Sequence, residues 1–466
     1  MARPVASAPR APYPLQPGTL DEAFTPDGSV RPHYAGVLAA LGEVGVGPAA
    51  AAMAAGVATA GMTRGASAGL QDFSIDPVPR VFAADEWGAL EAGLAQRTSA
   101  LDRFVADVYG PQETLREGIV PREIVETSRY FERDLIGRPV PPVRIGIAGP
   151  DVIRAPSGEL LVLEDNVRTP TMLMFGLAAR DLLREVLGSG APVPREARGP
   201  ARDGILRVLR AAAPEVADPV VVVLADRARS AMPWELDAFG ELLGVPVVDP
   251  EDLRHGPGDS VRLGDGRRVD VIFRRTSEER LRDDAGRLSH LGELLLPALL
   301  AGTVAVVNAF GTGVADDKRV HPYVEDLVRW ACGTEPLLRS VPEVDPRRAL
   351  ADLRGHVVKP RSGSGGFGVM VGPLASEAQL AEARAALERD PGELVVQEAV
   401  AFSVHPTHIA GRLAPRHVDL RPFALCAGGE VEVVPGGLTR VALAEGDLLV
   451  NCSQGGSAKD VWVLDP

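Results

Sequence analysis

Cysteine is scarce. The three present, Cys332, Cys426 and Cys452, lie far apart without a CxxC pair, which excludes a disulfide framework and a cysteine zinc site and favours a reducing cytoplasm. Aromatic residues make up 5% of the chain beside abundant Ala, Gly and Arg, a compositional bias rather than a functional signal. Positive charge is in deficit: the net charge is -14 and the pI about 5.2, so attraction to nucleic acid or anionic membranes would need a local patch, and neither is an expected partner. No apolar run reaches the roughly 20 residues that span a bilayer, and MARPVASAPRAPYPLQPG lacks the apolar centre of a signal peptide. A soluble protein is expected.

What is present is the composition of a folded protein, with 45% hydrophobic and 24% charged residues, near globular averages. The length, 466 residues, suits roughly three domains or one multi-lobed enzyme. Residues 1 to 30 are rich in Pro and Ala and read as an arm laid over the surface; the Ala/Gly-rich run from Ala49 to Gly69 fits a helix followed by a joint. From Asp85, the recurrence of Trp87, Leu90, Leu94, Leu101, Phe104 and Val108 predicts a long amphipathic helix ending near Gly110. VRIGIAG and LLVLEDN, separated by APSG, read as a β-hairpin. PVVVVLA, WELDAFGELLG and VPVVD form a βαβ pattern, which continues through VDVIFRR, LGELLLPALLAG and TVAVVNA. From His356 onward the chain is strand-rich, and the fold class expected is α/β with α+β character.

The strongest local signal is VVKPRSGSGGFGVMVG, residues 357 to 372. Its glycines satisfy GxGxxG, but a strand leads in and a strand leads out, whereas a dinucleotide fingerprint opens a helix; no Gly-Lys-Ser/Thr follows, which excludes a Walker A loop. What remains is a glycine-rich hairpin, Ser362, Gly363, Ser364, Gly365 and Gly366, whose N–H groups can close over a triphosphate, with Lys359 as adjacent charge. A flexible surface hairpin with a salt-bridged lysine explains the loop alone equally well. Further on, LVVQEAV ends a strand with Gln397 and Glu398, a backbone edge and a carboxylate that suit an adenine amino group and a ribose hydroxyl.

A second cluster lies upstream. Asp151 and the run Glu164, Asp165, Asn166 bracket the predicted hairpin, which can set the carboxylates of Asp151 and Glu164 side by side, while Glu164 and Asn166 share a strand face. Three oxygen ligands without histidine suit Mg²⁺ better than zinc. An acidic hairpin is more often solvated surface, but here the acids follow a buried-type apolar run, where an unpaired carboxylate is costly. NAFGTGVADDKRVHPYV adds Lys318 as a second phosphate contact or, in the plainer reading, as part of a charged helix N-terminus. PRHVDLRPF places Asp419 and Arg421 on one strand face. Arg421 and Arg440 suit a carboxylate or a transferring phosphoryl group, with surface pairing as the alternative, and VNCSQGGSAKD supplies Asn451 as a further catalytic candidate.

With these residues laid out, the chain resembles the circularly permuted ATP-grasp family, whose relatives include the ATP-grasp part of glutathionylspermidine synthase. The likeness runs from RPHYAGVL through FSIDPVPRVF, LVLEDNVRTPT, FGTGVADDKRVHPYV and VVKPRSGSGGFGVMVG to HVDLRPF, PGGLTR and VNCSQGGSAKD. It implies an ATP-grasp fold in permuted order with a pre-ATP-grasp-like α/β domain. The expected division is 1–84, an N-terminal mixed segment; 85–200, helical segment and metal hairpin; 201–350, the α/β domain; and 351–466, lid and nucleotide-binding strands. It implies that Asp151, Glu164 and Asn166 hold Mg²⁺, that Lys318 and Lys359 contact phosphates, that the Ser362–Gly366 loop covers the γ-phosphate, and that Gln397 and Glu398 sit at the adenine hinge. Arg168 follows the metal residues and is expected to face an acyl phosphate. Two departures, the bare Ala/Gly run before FSIDPVPRVF and VRTPTMLMFG after LEDN, fall where the acceptor substrate is expected to lie.

The activity implied is ATP-dependent joining of a small-molecule or peptide carboxylate to an amine through an acyl phosphate. A nucleotide-binding scaffold without ligase activity and a kinase that stops at phosphoryl transfer are the alternatives. Neither the substrates nor the oligomeric state can be read from the sequence.

Overall fold

The predicted amphipathic helix is present as Ala84–Tyr109, closed by Gly110. Asp85 and Glu86 lie in its first turn, where they complement the positive end of the helix dipole. Its apolar stripe is buried, with Trp87, Leu90 and Leu94 packed on Val152, Val162, Leu420 and Val463 of the main sheet. Asp107, near its end, accepts from the backbone of Glu113 at 2.7 Å and of Thr114 at 2.8 Å, fixing the turn into the next helix. The computed structural model describes residues 13–66, 69–283, 285–363, 365–442, 444–450 and 456–466.

The sheet beneath this helix has eight strands. In order they are Arg339–Ser340, Leu160–Glu164, Asp151–Arg154, Arg412–Arg421, Leu438–Val441, Ser457–Leu464 and Arg80–Ala83, with Val404–Ile409 pairing Arg412–Arg421 to one side. Neighbours in space are thus far apart in the chain, and the acidic hairpin lies against a strand that comes about 260 residues later. The hairpin itself differs from the expectation. Its first strand is Asp151–Arg154, not VRIGIAG; Ile147–Ala148 pairs instead with Ala424–Ala427 in a separate sheet. The reason is the Gly149-Pro150 step, where Pro150 has no N–H to continue a ladder and Gly149 lies against Pro170, which a Cβ would approach to 2.7 Å.

The βαβ reading holds. Val221–Leu224, Val247–Val248, Val271–Arg274 and Ala305–Val307 form a parallel sheet, and the helix Pro233–Leu243 ends at Gly244 with φ 69°. The Ala/Gly-rich run is a helix, Val46–Thr59, followed by a two-stranded hairpin, Thr63–Ala66 with Gly69–Asp72, rather than a plain joint. Past His356, Glu377–Arg389 is a helix that the strand-rich reading missed, although Ser376 and Gln379 form a capping box at its start. It covers one face of a small sheet, Met370–Val371, His356–Pro360 and Leu394–Glu398. Gly372 ends the glycine-rich hairpin where a Cβ would stand 2.1 Å from the Leu353 carbonyl oxygen, so no larger residue fits.

Among the described residues no single helix is long and apolar enough to cross a membrane.

Candidate active site

A cavity of about 830 Å³ opens between the small sheet, the acidic hairpin and the parallel α/β sheet. Asp151, Glu164, Asn166, Arg168, Lys318, Lys359, Gly363, Gly365, Gly366, Gln397, Glu398, Arg421 and Arg440 all line it. Of the other sequence-derived candidates, Ser362 does not line it, and Ser364 and Asn451 lie outside the described residues.

The pleat sorts the acidic run. Asp151 and Glu164 are cross-strand partners, and Glu164 and Asn166 face the cavity. Asp165 turns the other way and is clamped by Arg97 at 2.8 and 2.7 Å, with His321 at 3.2 Å. Burial would push the Glu164 carboxyl up, but Lys318 and then Lys359 outweigh it and hold it at about 2, so it is ionised at neutral pH. Lys318 Nζ lies 2.7 Å from Glu164 Oε1 and donates to the Gly363 carbonyl at 3.1 Å. Lys318 lies in the turn between the one-turn helix Gly313–Asp316 and the helical stretch that begins at His321.

The glycine loop is a hairpin, with Val357 opposite Val371 and Val358 opposite Met370. Gly363, Gly365, Gly366 and Gly368 have φ of 134°, 71°, 71° and 74°, a conformation that side-chain-bearing residues resist. The loop's base is held by Arg361, missed in the sequence, which donates to Asp317 Oδ1 at 3.0 Å and Oδ2 at 2.8 Å and to the Ile124 carbonyl at 2.6 Å. Lys359 is buried and donates to Gln397 Oε1 at 2.5 Å; Gln397 Nε2 in turn donates to the Leu163 carbonyl at 3.2 Å. Burial lowers the Lys359 ammonium from its usual range, opposed by Glu164. The side chain of Gln397 is therefore committed to Lys359, and Glu398 is the exposed member of the pair.

Asp151 is nearly fully buried and meets two guanidinium groups. Arg421 donates to it from Nε at 2.8 Å and from Nη2 at 3.0 Å, and Arg440 Nη2 stands 2.7 Å away while also holding Asp419. Arg421 and Arg440 thus enclose an acid at the cavity wall, and any ligand they oriented would share them with Asp151. Arg168 bonds Asp316 Oδ1 at 3.0 Å and lies over the Tyr130 ring at 4.1 Å. Lys459, in the same VNCSQGGSAKD segment as Asn451, is buried against Asp76.

Among the described residues no group of three or more His, Cys, Asp or Glu could hold a metal alone. A hard cation would therefore rest on Glu164, the Asn166 amide and substrate phosphates, with Asp151 only if it shared its oxygens with Arg421 and Arg440. The residues fit Mg²⁺ on donor chemistry: all are oxygen donors, and Asn166 Nδ2 is buried without a partner, so the amide is free to turn its oxygen inward.

The sequence pattern of the circularly permuted ATP-grasp type 2 family matches residues 79–442, and the chain belongs to that family. An uncharacterized Mycobacterium tuberculosis protein is 40% identical over 464 residues, taking in 96% of this chain and 84% of its own. A Frankia alni protein provisionally named glutamate–cysteine ligase 2-3 is 38% identical over 483 residues, 99% of this chain but 56% of that protein. In structure, the chain is similar to a glutathione synthetase-like effector of Globodera pallida in its apo form, with a TM-score of 0.59 over 89% of this chain and 96% of that one; at 14% identity the likeness is of fold alone.

Proposed function

We propose that this protein is an ADP-forming ligase that activates a carboxylate with ATP and joins it to an amine. One observation carries the reading: Lys318 connects the acidic hairpin to the glycine loop, with Lys359 in the same cavity, so three distant segments bring two cations and the glycine loop to one volume. Family membership and the relatives' ligase names support the same reading.

In the proposed reaction a carboxylate oxygen of the substrate attacks the γ-phosphorus, the bond to the β–γ bridging oxygen breaks, and ADP leaves with that electron pair. The amine nitrogen then attacks the acyl carbon, the carbon–oxygen bond to phosphate breaks, and the nitrogen loses a proton to solvent. Lys318 and Lys359 bind the phosphate oxygens and neutralise the charge that gathers on them; the Gly363–Gly366 backbone closes over the γ-phosphate; Arg168 orients the reacting carboxylate. Mg²⁺, held by Glu164 and Asn166, would supply further neutralisation of phosphate charge. Glu398 and the strand edge at Gln397 would receive the nucleoside. No protein nucleophile is required.

Hydroxylamine tests this directly. With ATP and a competent carboxylate it should give a hydroxamate alongside ADP; phosphate-ester formation without hydroxamate would establish a kinase instead.

A further inference from the structure

The cavity is also lined from the carboxyl ends of the parallel sheet. Val221–Leu224 pairs with Val247–Val248 on one side and with Val271–Arg274 on the other, and Ala305–Val307 lies beyond the latter. The chain therefore moves outward from Val221–Leu224 in one direction, returns to Val271–Arg274, and moves outward in the other. In open α/β sheets a ligand crevice forms past the carboxyl ends of two such adjacent strands, where the order reverses. The loops that leave these two strands bring Arg229 and Arg275 to the cavity wall.

The two are held differently: Arg275 is built into the wall, its guanidinium over the Phe239 and Phe273 rings at 4.9 and 5.6 Å, whereas Arg229 is not. Arg229 is exposed, and among the described residues its guanidinium has no hydrogen-bond or ion-pair partner. Arg275 has a side chain only 2% exposed; its Nη2 donates to the Pro170 carbonyl at 2.7 Å and lies 3.6 Å from Glu235, yet its Nε is buried without an acceptor. Arg129, 55% exposed, reaches Glu279 only at 3.7 Å, and Arg168 reaches the same carboxylate at 3.8 Å. Arg129, Arg168, Arg229 and Arg275 thus line the cavity beside Glu279, which also accepts from the Ser277 hydroxyl, and Asp316, with Glu235 behind Arg275. In a chain of net charge -14 this is a local reversal of sign, and a wall of that kind attracts anions and repels cations.

We infer that this end of the cavity is a carboxylate subsite: the substrate carries a second carboxylate that does not react, gripped by Arg129 and Arg229 above the buried Arg275. Polyamines and other cationic substrates are excluded from it. A planar guanidinium matches a carboxylate in two parallel hydrogen bonds, which an ammonium group does not. The inference deepens the ligase reading, resting on it for which end of the substrate reacts, while the binding itself is testable without turnover.

Three five-carbon probes separate the possibilities by calorimetry on the full chain: glutarate, its neutral diamide glutaramide, and the diamine cadaverine. Glutarate should bind, glutaramide and cadaverine should not, and R129Q and R229Q should each weaken glutarate roughly tenfold, as loss of a charged pair implies. Both variants alter exposed side chains, and an unchanged melting curve would show that they fold. Absence of glutarate binding, equal or tighter binding of cadaverine, or glutarate affinity unmoved in the double variant would overturn the subsite. A protein that binds glutarate through these arginines but forms no hydroxamate keeps the subsite and loses the ligase reading; hydroxamate formed from cationic carboxylates alone does the reverse.

Discussion

Lys318 stands 2.7 Å from the carboxylate of Glu164 and donates to the carbonyl of Gly363 at 3.1 Å. One ammonium group thus contacts both the acidic hairpin and the glycine loop. A triphosphate entering between them meets a cation already in place, and the loop has a reason to order around it.

Replacement of Lys318 or Lys359 by Met should lower ADP release by roughly 10²–10³-fold, the range for losing one preorganised charge-stabilising donor. Glu164→Gln should raise the Mg²⁺ concentration for half-maximal turnover, by about tenfold or more. Steady-state ADP release over an Mg²⁺ series reads both; an unchanged Mg²⁺ requirement in the Glu164 variant would remove this residue from the cation site.

Asp151→Ala should destabilise the fold by about 3–5 kcal/mol, because it strips a buried carboxylate from Arg421 and Arg440 and leaves guanidinium charge buried. Urea unfolding followed by tryptophan fluorescence measures this, and a loss below about 1 kcal/mol would show that the two arginines find water or other acceptors.

Asp317→Ala leaves Arg361, the anchor of the glycine loop, buried and unpaired. The expected outcome is a raised KM for ATP together with a loss of about 3 kcal/mol in stability. Stability lost without a change in ATP binding would mean that loop position does not depend on this pair.

Glu343 gives a pH test. Burial outweighs the nearby Lys359 and pushes its carboxyl up from about 4.5 to about 8, and its Oε1 has no hydrogen-bond partner. The folded chain then keeps a proton that the unfolded chain releases, so stability falls as pH rises through that window. Glu343→Gln removes the titration: its stability relative to the parent should grow steadily between those two pH values and level off above the upper one. A difference independent of pH would place the charged carboxylate in water.

Much of the site was legible because its elements are local. A turn needing positive φ at four glycines between two apolar runs has few other solutions, and the pleat alone separates Glu164 and Asn166 from Asp165. The hairpin's first strand was misplaced because VRIGIAG is as apolar as a strand should be, and only the partner across the sheet decides between candidates of equal propensity. The helix Glu377–Arg389 was overlooked among strand-like neighbours although its capping box was present in the sequence.

From the sequence by itself came the family, the fold class, and the charge-bearing segments of the candidate site. Only the tertiary structure decided how those charges are shared: that Asp151 belongs to Arg421 and Arg440, that Gln397 serves Lys359, and that Arg129, Arg229 and Arg275 line one cavity. The physical reason is range. Turn chemistry and strand alternation act over a few residues and leave a pattern in the chain, whereas an ion pair between strands about 270 residues apart depends on sheet order, which no local period encodes.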